Sequence, residues 1–225
     1  MTSSSPITAV IFDMDGVLVD SGPAHQRSWE ILAERHSIHM SPDYFRSTFG
    51  QTSRTIIRQL CGGRLTDQEV SRLDAEKEAI YRELIEERVP LMPGCRRMLE
   101  RLHNAGLRLG VATSGPPENL DLVLSAGLIA YYFEAEVHGF EIAVGKPAPD
   151  CFLLAAERLE LSPTACVVVE DAPVGIQAAL AAGMPAIGLI GTHPAPTLTA
   201  AGATHVVARL EEVTPELVQS LRPPD

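Results

Sequence analysis

Apolar residues recur along the chain with two different periods, which together predict strands alternating with helices after about residue 90. Short apolar runs predict six strands, at residues 9–13, 107–113, 135–138, 166–170, 185–189 and 205–207. A helical period predicts helices at residues 95–104, 118–125, 150–159 and 174–182. Gly106, Gly127 and Gly183 are expected to end three of these helices. This alternation favours an α/β fold in which helices cover both faces of a parallel sheet.

The segment from about residue 17 to residue 90 breaks the alternation, because it carries helical patterns with no strand between them. Its two longest predicted helices span residues 24–36 and 68–87, and the second is rich in Glu and Lys. Pro90 and Pro93 follow the last helix. We therefore expect a core formed by residues 1–16 and 91–225, with an all-helical cap domain inserted at residues 17–90.

Composition and charge narrow the range of partners. The 225 residues are 45% hydrophobic and carry a net charge of -11, which argues against affinity for nucleic acid or anionic membranes. Residues 1–6 lack the apolar core of a signal peptide, and the apolar stretch 178–190 is shorter than a membrane span. We expect a cytoplasmic monomer or homodimer that binds a small substrate, with a metal offsetting the substrate's negative charge.

Two carboxylates follow the first apolar run. Asp13 and Asp15 lie two positions apart, so both are expected on one side of the chain. Like charges this close are costly unless a cation neutralises them or one carboxyl keeps its proton. An acidic turn with its bend at Gly16 is the plain alternative, and an EF-hand is disfavoured by Leu18 and Ala24 at its required Gly and Glu positions.

Polar residues also follow other predicted strands, whose carboxyl ends meet at one edge of a parallel sheet and form its ligand crevice. Thr113, Ser114 and Gly115 follow the second strand and precede a helix, a place suited to phosphate oxygens. Lys146 stands in a loop fixed by prolines, and the pair Glu170-Asp171 ends a buried strand. Each motif alone could be a helix cap or solvated surface, but together they place complementary groups at one edge.

This ordered set of motifs resembles the haloacid dehalogenase superfamily of phosphotransferases, and the resemblance covers essentially the whole chain. The stretch from Phe12 to Ser21 is similar to its β-phosphoglucomutase and phosphoglycolate phosphatase branch. The resemblance implies a Rossmann-like core with a helical cap inserted after the first motif. It also implies Mg²⁺-dependent hydrolysis of a sugar phosphate or a phosphoglycolate-like phosphomonoester through an aspartyl phosphate.

The resemblance implies a role for each acidic motif residue. Asp13 is the expected nucleophile and a metal ligand, and Asp171 completes the metal site. Asp15 is the expected general acid and base, and its main-chain carbonyl is a further metal ligand. Glu170 is expected to act on the metal through a water or from the surrounding shell.

The other core motifs are expected to hold the phosphoryl group. Thr113, Ser114 and Gly115 would bind its oxygens, and Lys146 would stabilise its charge and pair with Asp13. Asp15 favours phosphate esters, because the superfamily's dehalogenases and phosphonate hydrolases lack an acid at that position.

Four cap residues are candidates for substrate binding. His25 lies twelve positions after Asp13, as a cap histidine does in β-phosphoglucomutases, and Trp29 follows one helical turn later. Lys77 also resembles a cap pattern, and Arg54 falls one place later than the sugar-phosphate-binding arginine of the mutases. Trp29 as cap core and Lys77 as a solvated lysine are the open alternatives.

Two alternative functions remain open at this stage. A β-phosphoglucomutase binds a second phosphate with a Lys and an Asn that follow the Thr motif. In this chain the corresponding stretch, which ends in Asn119, has no lysine. The missing lysine favours hydrolysis. A phosphoacceptor signalling module also uses acidic residues, a Thr and a Lys-Pro pair. Such a module has no cap and carries its acceptor on a middle strand, which disfavours it.

Overall fold

The structure is a computed structural model, and it describes residues 6–41, 44, 48 and 51–224. Its centre is a six-stranded parallel sheet with the order β3-β2-β1-β4-β5-β6. The strands are β1 Ala9–Phe12, β2 Arg108–Ala112, β3 Ala135–Val137, β4 Cys166–Glu170, β5 Ala186–Leu189 and β6 His205–Val207. All six predicted strands are confirmed, each to within one residue at either end.

Helices connect these strands and form the inserted segment. Those among the described residues are α1 Gly22–His36, α2 Ser53–Leu60, α3 Asp67–Ile85, α4 Cys95–Asn104, α5 Pro117–Ala126, α6 Asp150–Arg158, α7 Pro173–Ala181, α8 Ala195–Ala200 and α9 Pro215–Ser220. Short 3-10 turns lie at Ala130–Tyr132, Pro163–Ala165 and Leu210–Glu212. The predicted helices are present, although α3 ends two residues before its predicted end.

The predicted helix ends are confirmed at all three glycines, each of which lies one or two residues after its helix. Gly106 and Gly183 take the positive φ angles that reverse the chain after α4 and α7. Gly127 instead keeps a helical φ of -67°, and the left-handed position falls on Leu128 at φ 50°. Gly127 therefore caps the end of α5, while Leu128 makes the left-handed turn that follows.

The two faces of the sheet pack on separate layers, as expected for a parallel sheet covered on both sides. In β1, Val10 and Phe12 join one apolar cluster, whereas Ala9 and Ile11 join the other. Helix α4 covers the first face, while α6 and α7 cover the second. All four β1 residues are fully buried, which explains their continuous apolar run.

Helices α1, α2 and α3, which we call the cap, share an apolar cluster of their own. The buried residues of this cluster are Trp29, Leu32, Ile56, Ile57, Val70, Leu73 and Ile80. A capping box starts α3, in which the Thr66 hydroxyl accepts from the Glu69 amide and the Glu69 carboxylate accepts from the Thr66 amide.

Two neighbouring passes of the chain link the cap to the sheet. The Asp20 amide donates to the Pro90 carbonyl at 2.8 Å, and the Met92 amide donates to the Leu18 carbonyl at 2.9 Å. Residues 17–19 are buried in the cluster on the first face of the sheet. The division of the chain at residues 17–90 stays a prediction. Among the described residues, no helix is both long and apolar enough to cross a membrane.

Candidate active site

A cavity of about 490 Å³ lies at the carboxyl edge of the sheet, between the core and the cap. It opens beside the end of β1, where the strand order reverses between the β2 side and the β4 side. Such a point is the usual ligand crevice of an open α/β sheet. Every site residue that the sequence predicted lines this cavity. The fold therefore brings groups from seven separate segments of the chain to one place, although their roles stay predictions.

The turn after β1 brings two acidic loops together. The Asp13 amide donates to the Val169 carbonyl at 3.0 Å and so extends the β1–β4 ladder. Gly16 then takes a φ of 77°, and a Cβ atom there would collide with the Asp171 carboxylate. Gly16 is thus required both for the bend and for the close approach of Asp171 to this turn.

Lys146 bridges two of the carboxylates. Its Nζ atom lies 2.5 Å from Asp13 Oδ1 and 2.8 Å from Glu170 Oε1, and its side chain is 4% exposed. Burial alone would lower the pKa of Lys146, but the charges of Asp13 and Glu170 raise it well above its ordinary value. Lys146 therefore stays an ammonium that neutralises part of the acidic cluster.

A metal ion fits the remaining charge. Oxygen atoms of Asp13, Glu170 and Asp171 lie within 4.8 Å of one another, and all three residues are buried. Burial raises the pKa of Asp13 to about 7, and burial with the nearby charges of Glu170 and Asp13 raises that of Asp171 well above its ordinary value. One lysine cannot balance three carboxylates, and oxygen donors are the ligands that Mg²⁺ prefers. The donor set therefore suits Mg²⁺.

Asp15 faces the cap rather than this cluster. Its Oδ1 atom lies 3.1 Å from His25 Nε2, and the His25 ring stacks on Tyr81 at a centroid distance of 3.9 Å. Burial alone would raise the pKa of Asp15, but the hydrogen bond and charge of His25 lower it. Asp15 and His25 thus form a pair that can hold a proton in the wall of the cavity.

The loop after β2 presents a hydroxyl and backbone amides. Thr113 is 1% exposed, and its Oγ1 atom accepts from the Gly115 amide at 3.0 Å. Ser114 and Gly115 line the cavity just before α5. This arrangement suits phosphoryl oxygens, because donors gather where a helix begins.

The structure tests the two open alternatives for cap residues by their burial. Lys77 is 2% exposed, so the solvated alternative was wrong; its Nζ atom lies 2.7 Å from His25 Nδ1 and 3.0 Å from Glu78 Oε1. Trp29 belongs to the cap's apolar cluster, as the cap-core alternative expected, and it also lines the cavity. Its role in substrate binding stays a prediction.

Arg54 lines the cavity while engaged by other side chains. Its Nε atom donates to Asp74 Oδ2 at 2.9 Å, and its Nη2 atom donates to Ser71 at 3.1 Å. The guanidinium carbon lies 5.6 Å from the centre of the Phe140 ring, which the core contributes.

Sequence reasoning missed Glu78, which joins the cap to the core. The carboxylate of Glu78 accepts from the Ser53 hydroxyl and from Asn119 Nδ2 at 2.7 Å, while Asn119 Oδ1 accepts from Arg82 at 2.9 Å. Burial alone would raise the pKa of Glu78, but the charges of Lys77 and His25 and these hydrogen bonds lower it to about 2. A signal was available, because residues 70, 74, 77, 78 and 81 share the buried face of α3.

Comparisons with known proteins agree with this geometry. Residues 7–183 match the family model described as haloacid dehalogenase-like hydrolase. The chain is 35% identical over 217 residues to a β-phosphoglucomutase of Bacillus subtilis, covering 93% of each chain. It is also 35% identical over 209 residues to hexitol phosphatase A of Escherichia coli, covering 91% of this chain and 92% of the other.

The fold is likewise similar to solved structures. A family IA, variant 3 hydrolase of the same superfamily from Entamoeba histolytica superposes with a TM-score of 0.85 at 27% identity. That match covers 93% of this chain and 96% of the other.

Proposed function

The chain belongs to the haloacid dehalogenase-like hydrolase family, and from this premise we propose that it hydrolyses a small phosphorylated metabolite. The substrate is a phosphate monoester, of a sugar or of a phosphoglycolate-like acid, and the cofactor is Mg²⁺. The observation that carries the proposal is the meeting of Asp13, Lys146, Thr113 and an acidic cluster in one cavity at the sheet edge.

The acidic cluster is the proposed metal site. Asp13, Asp171 and the main-chain carbonyl of Asp15 hold Mg²⁺, and Glu170 supports the site while bound to Lys146 and to the Ala172 amide at 2.8 Å. When bound, Mg²⁺ screens the repulsion between the phosphate dianion and the Asp13 carboxylate. Asp171 is oriented by the Thr192 hydroxyl, which donates to it.

Asp13 is the proposed nucleophile. Its carboxylate oxygen attacks phosphorus in line, which forms an aspartyl phosphate as the bond to the leaving oxygen breaks. Lys146 lies against the attacking carboxylate and balances charge as it moves to the phosphoryl group. Thr113 and the Ser114 amide bind the phosphoryl oxygens, and Gly115, whose amide donates to Thr113, lies beside them.

Asp15 is the proposed general acid and base. The leaving oxygen takes a proton from the Asp15–His25 pair, and Asp15 later accepts a proton from the water that attacks the aspartyl phosphate. Stacking on Tyr81 holds the His25 ring against Asp15. The cap covers the cavity while the first step proceeds, which limits the access of bulk water.

A mutase is the second candidate, because the chain is as similar to the β-phosphoglucomutase as to the hexitol phosphatase. Hydrolysis is favoured by the loop after β2. That loop lacks the lysine with which β-phosphoglucomutases bind the distal phosphate. Asn119, the remaining candidate, is already hydrogen-bonded to Glu78 and Arg82.

An assay of two products from one substrate separates the two candidates. The protein is given β-glucose 1-phosphate, Mg²⁺ and a trace of β-glucose 1,6-bisphosphate, and free phosphate and glucose 6-phosphate are followed together. We expect free phosphate to exceed glucose 6-phosphate. Faster formation of glucose 6-phosphate would favour the mutase and contradict the proposal.

A further inference from the structure

We propose that Glu78 makes the cap side of the cavity select esters whose leaving group is uncharged and carries hydroxyls. By the same means it disfavours leaving groups with a second phosphate or a carboxylate. This inference rests on the proposed hydrolysis and narrows its substrate class.

The charges that line the cavity are predominantly negative. Among the described lining residues there are six carboxylates and three Lys or Arg side chains. The three cations are all engaged: Lys146 with Asp13 and Glu170, Lys77 with Glu78, and Arg54 with Asp74. A divalent metal at the acidic cluster serves the phosphate that reacts. Among the described lining residues, the cap side therefore offers no Lys or Arg in excess for a second anion.

Glu78 is fixed as an ionised group on that side. Its side chain is 9% exposed, and its two oxygens accept from Lys77 and Asn119 and from the Ser53 hydroxyl. These partners come from α2, α3 and α5, so the carboxylate cannot swing away without breaking contacts between cap and core. An anionic group brought beside it would meet a like charge in a confined site of reduced dielectric.

The hydrogen-bond donors that would bind a distal phosphate already donate to groups of the protein. The Asn119 amide nitrogen points at Glu78, and its oxygen accepts from Arg82, so Asn119 is oriented by the protein itself. Two donors of Arg54 are directed at Asp74 and Ser71. A second phosphate would have to displace these carboxylates from their partners.

Uncharged hydroxyls meet a suitable surface instead. Gln51, Thr52 and Ser53 line the cap side with neutral polar groups, and Glu78 and Asp74 add acceptors. A hydroxyl donates well to a carboxylate, in a hydrogen bond strengthened by the acceptor's charge. Trp29 and Phe140 line the cavity as well and offer apolar surface to the carbon skeleton.

The test compares matched esters that differ in their distal group. Glycerol 3-phosphate is paired with 3-phosphoglycerate, and fructose 1-phosphate with fructose 1,6-bisphosphate, in Mg²⁺ at constant ionic strength. The wild-type protein is expected to favour the uncharged member of each pair in kcat/KM by about tenfold or more. Glu78→Gln keeps the shape and removes the charge, so it should reduce that preference severalfold.

Glu83→Gln is the matched control, because it removes the same charge from an exposed position of α3. It should leave the preference as in the wild type. Equal effects of the two substitutions, or a wild-type preference below about twofold, would overturn the inference. If Glu78→Gln does not fold, the wild-type preference alone decides.

Nitrophenyl phosphate, which has no distal anion, separates this inference from the proposed function. The wild-type protein could turn over nitrophenyl phosphate and also turn over charged and uncharged esters equally well. That result would overturn the role of Glu78 but leave the proposed hydrolysis standing. Failure to turn over any ester would contradict the proposed hydrolysis itself.

Discussion

Glu78→Gln should destabilise the protein in a manner that depends on pH. A pKa of about 2 in place of 4.5 corresponds to about 3 kcal/mol of stability at neutral pH, at ~1.4 kcal/mol for each pH unit. The charge of the buried Lys77 ammonium is the largest lowering contribution to this pKa shift, so its loss as a partner is already included in this figure. We therefore expect the free energy of unfolding of the variant to be lower by about 3 kcal/mol at pH 7.

The sign of the pH effect follows from the direction of the shift. Because folding lowers the pKa of Glu78, its contribution is complete above about pH 5 and is lost as the pH falls from 4.5 towards 2. Between pH 5 and about 3.5 the difference between wild type and variant should shrink by about 1 kcal/mol.

Urea unfolding followed by circular dichroism at several pH values measures this difference. Glu83→Gln, at an exposed position of the same helix, should show a small difference that changes little with pH. A Glu78→Gln difference that is the same at pH 7 and pH 3.5 would refute the argument that Glu78 is held ionised by its partners.

Three predictions concern the catalytic core. Asp13→Asn should lower kcat at least about a thousandfold in a steady-state phosphate-release assay while circular dichroism shows a retained fold, and several per cent of residual activity would contradict its role. Chelation should abolish phosphate release, and Mg²⁺ should restore it better than Ca²⁺. Asp171→Ala should mimic chelation more closely than Glu170→Ala. Full activity in chelator would count against the metal site. Asp15→Asn should slow alkyl phosphates more than nitrophenyl phosphate, whose leaving group needs less protonation, and an equal loss of kcat for both would exclude the acid role.

The strands and the core motifs could be predicted because their signals are local. Val10, Phe12 and the rest of β1 form an unbroken apolar run because both faces of the strand are covered. Asp13 follows that run directly, and parallel strands bring their carboxyl ends to one edge, so its neighbours follow from topology. Lys146 reaches Asp13 from 133 positions away because its loop meets that same edge.

The cap contacts could not be predicted in the same way, because they depend on how separate helices pack. A helix rich in Glu and Lys is typical of a solvated surface. Only the helical spacing of Lys77 and Glu78 with the apolar residues of α3 separates them from the exposed Glu83. The pairing of Arg54 with Asp74 joins two helices, and the contact of Glu78 with Asn119 joins cap and core. Such contacts appear only once the helices are placed in three dimensions.

The central claim is that Asp13 carries the phosphoryl group during turnover, and a rapid acid quench tests it most directly. Protein mixed with Mg²⁺ and a radiolabelled phosphate ester is quenched during the first turnover, digested, and the labelled peptide identified by mass spectrometry. The label should lie on the peptide that contains Asp13, be released by hydroxylamine as an acyl phosphate, and be absent from Asp13→Asn. Label on another residue, or free phosphate formed by Asp13→Asn at the wild-type rate, would contradict the account.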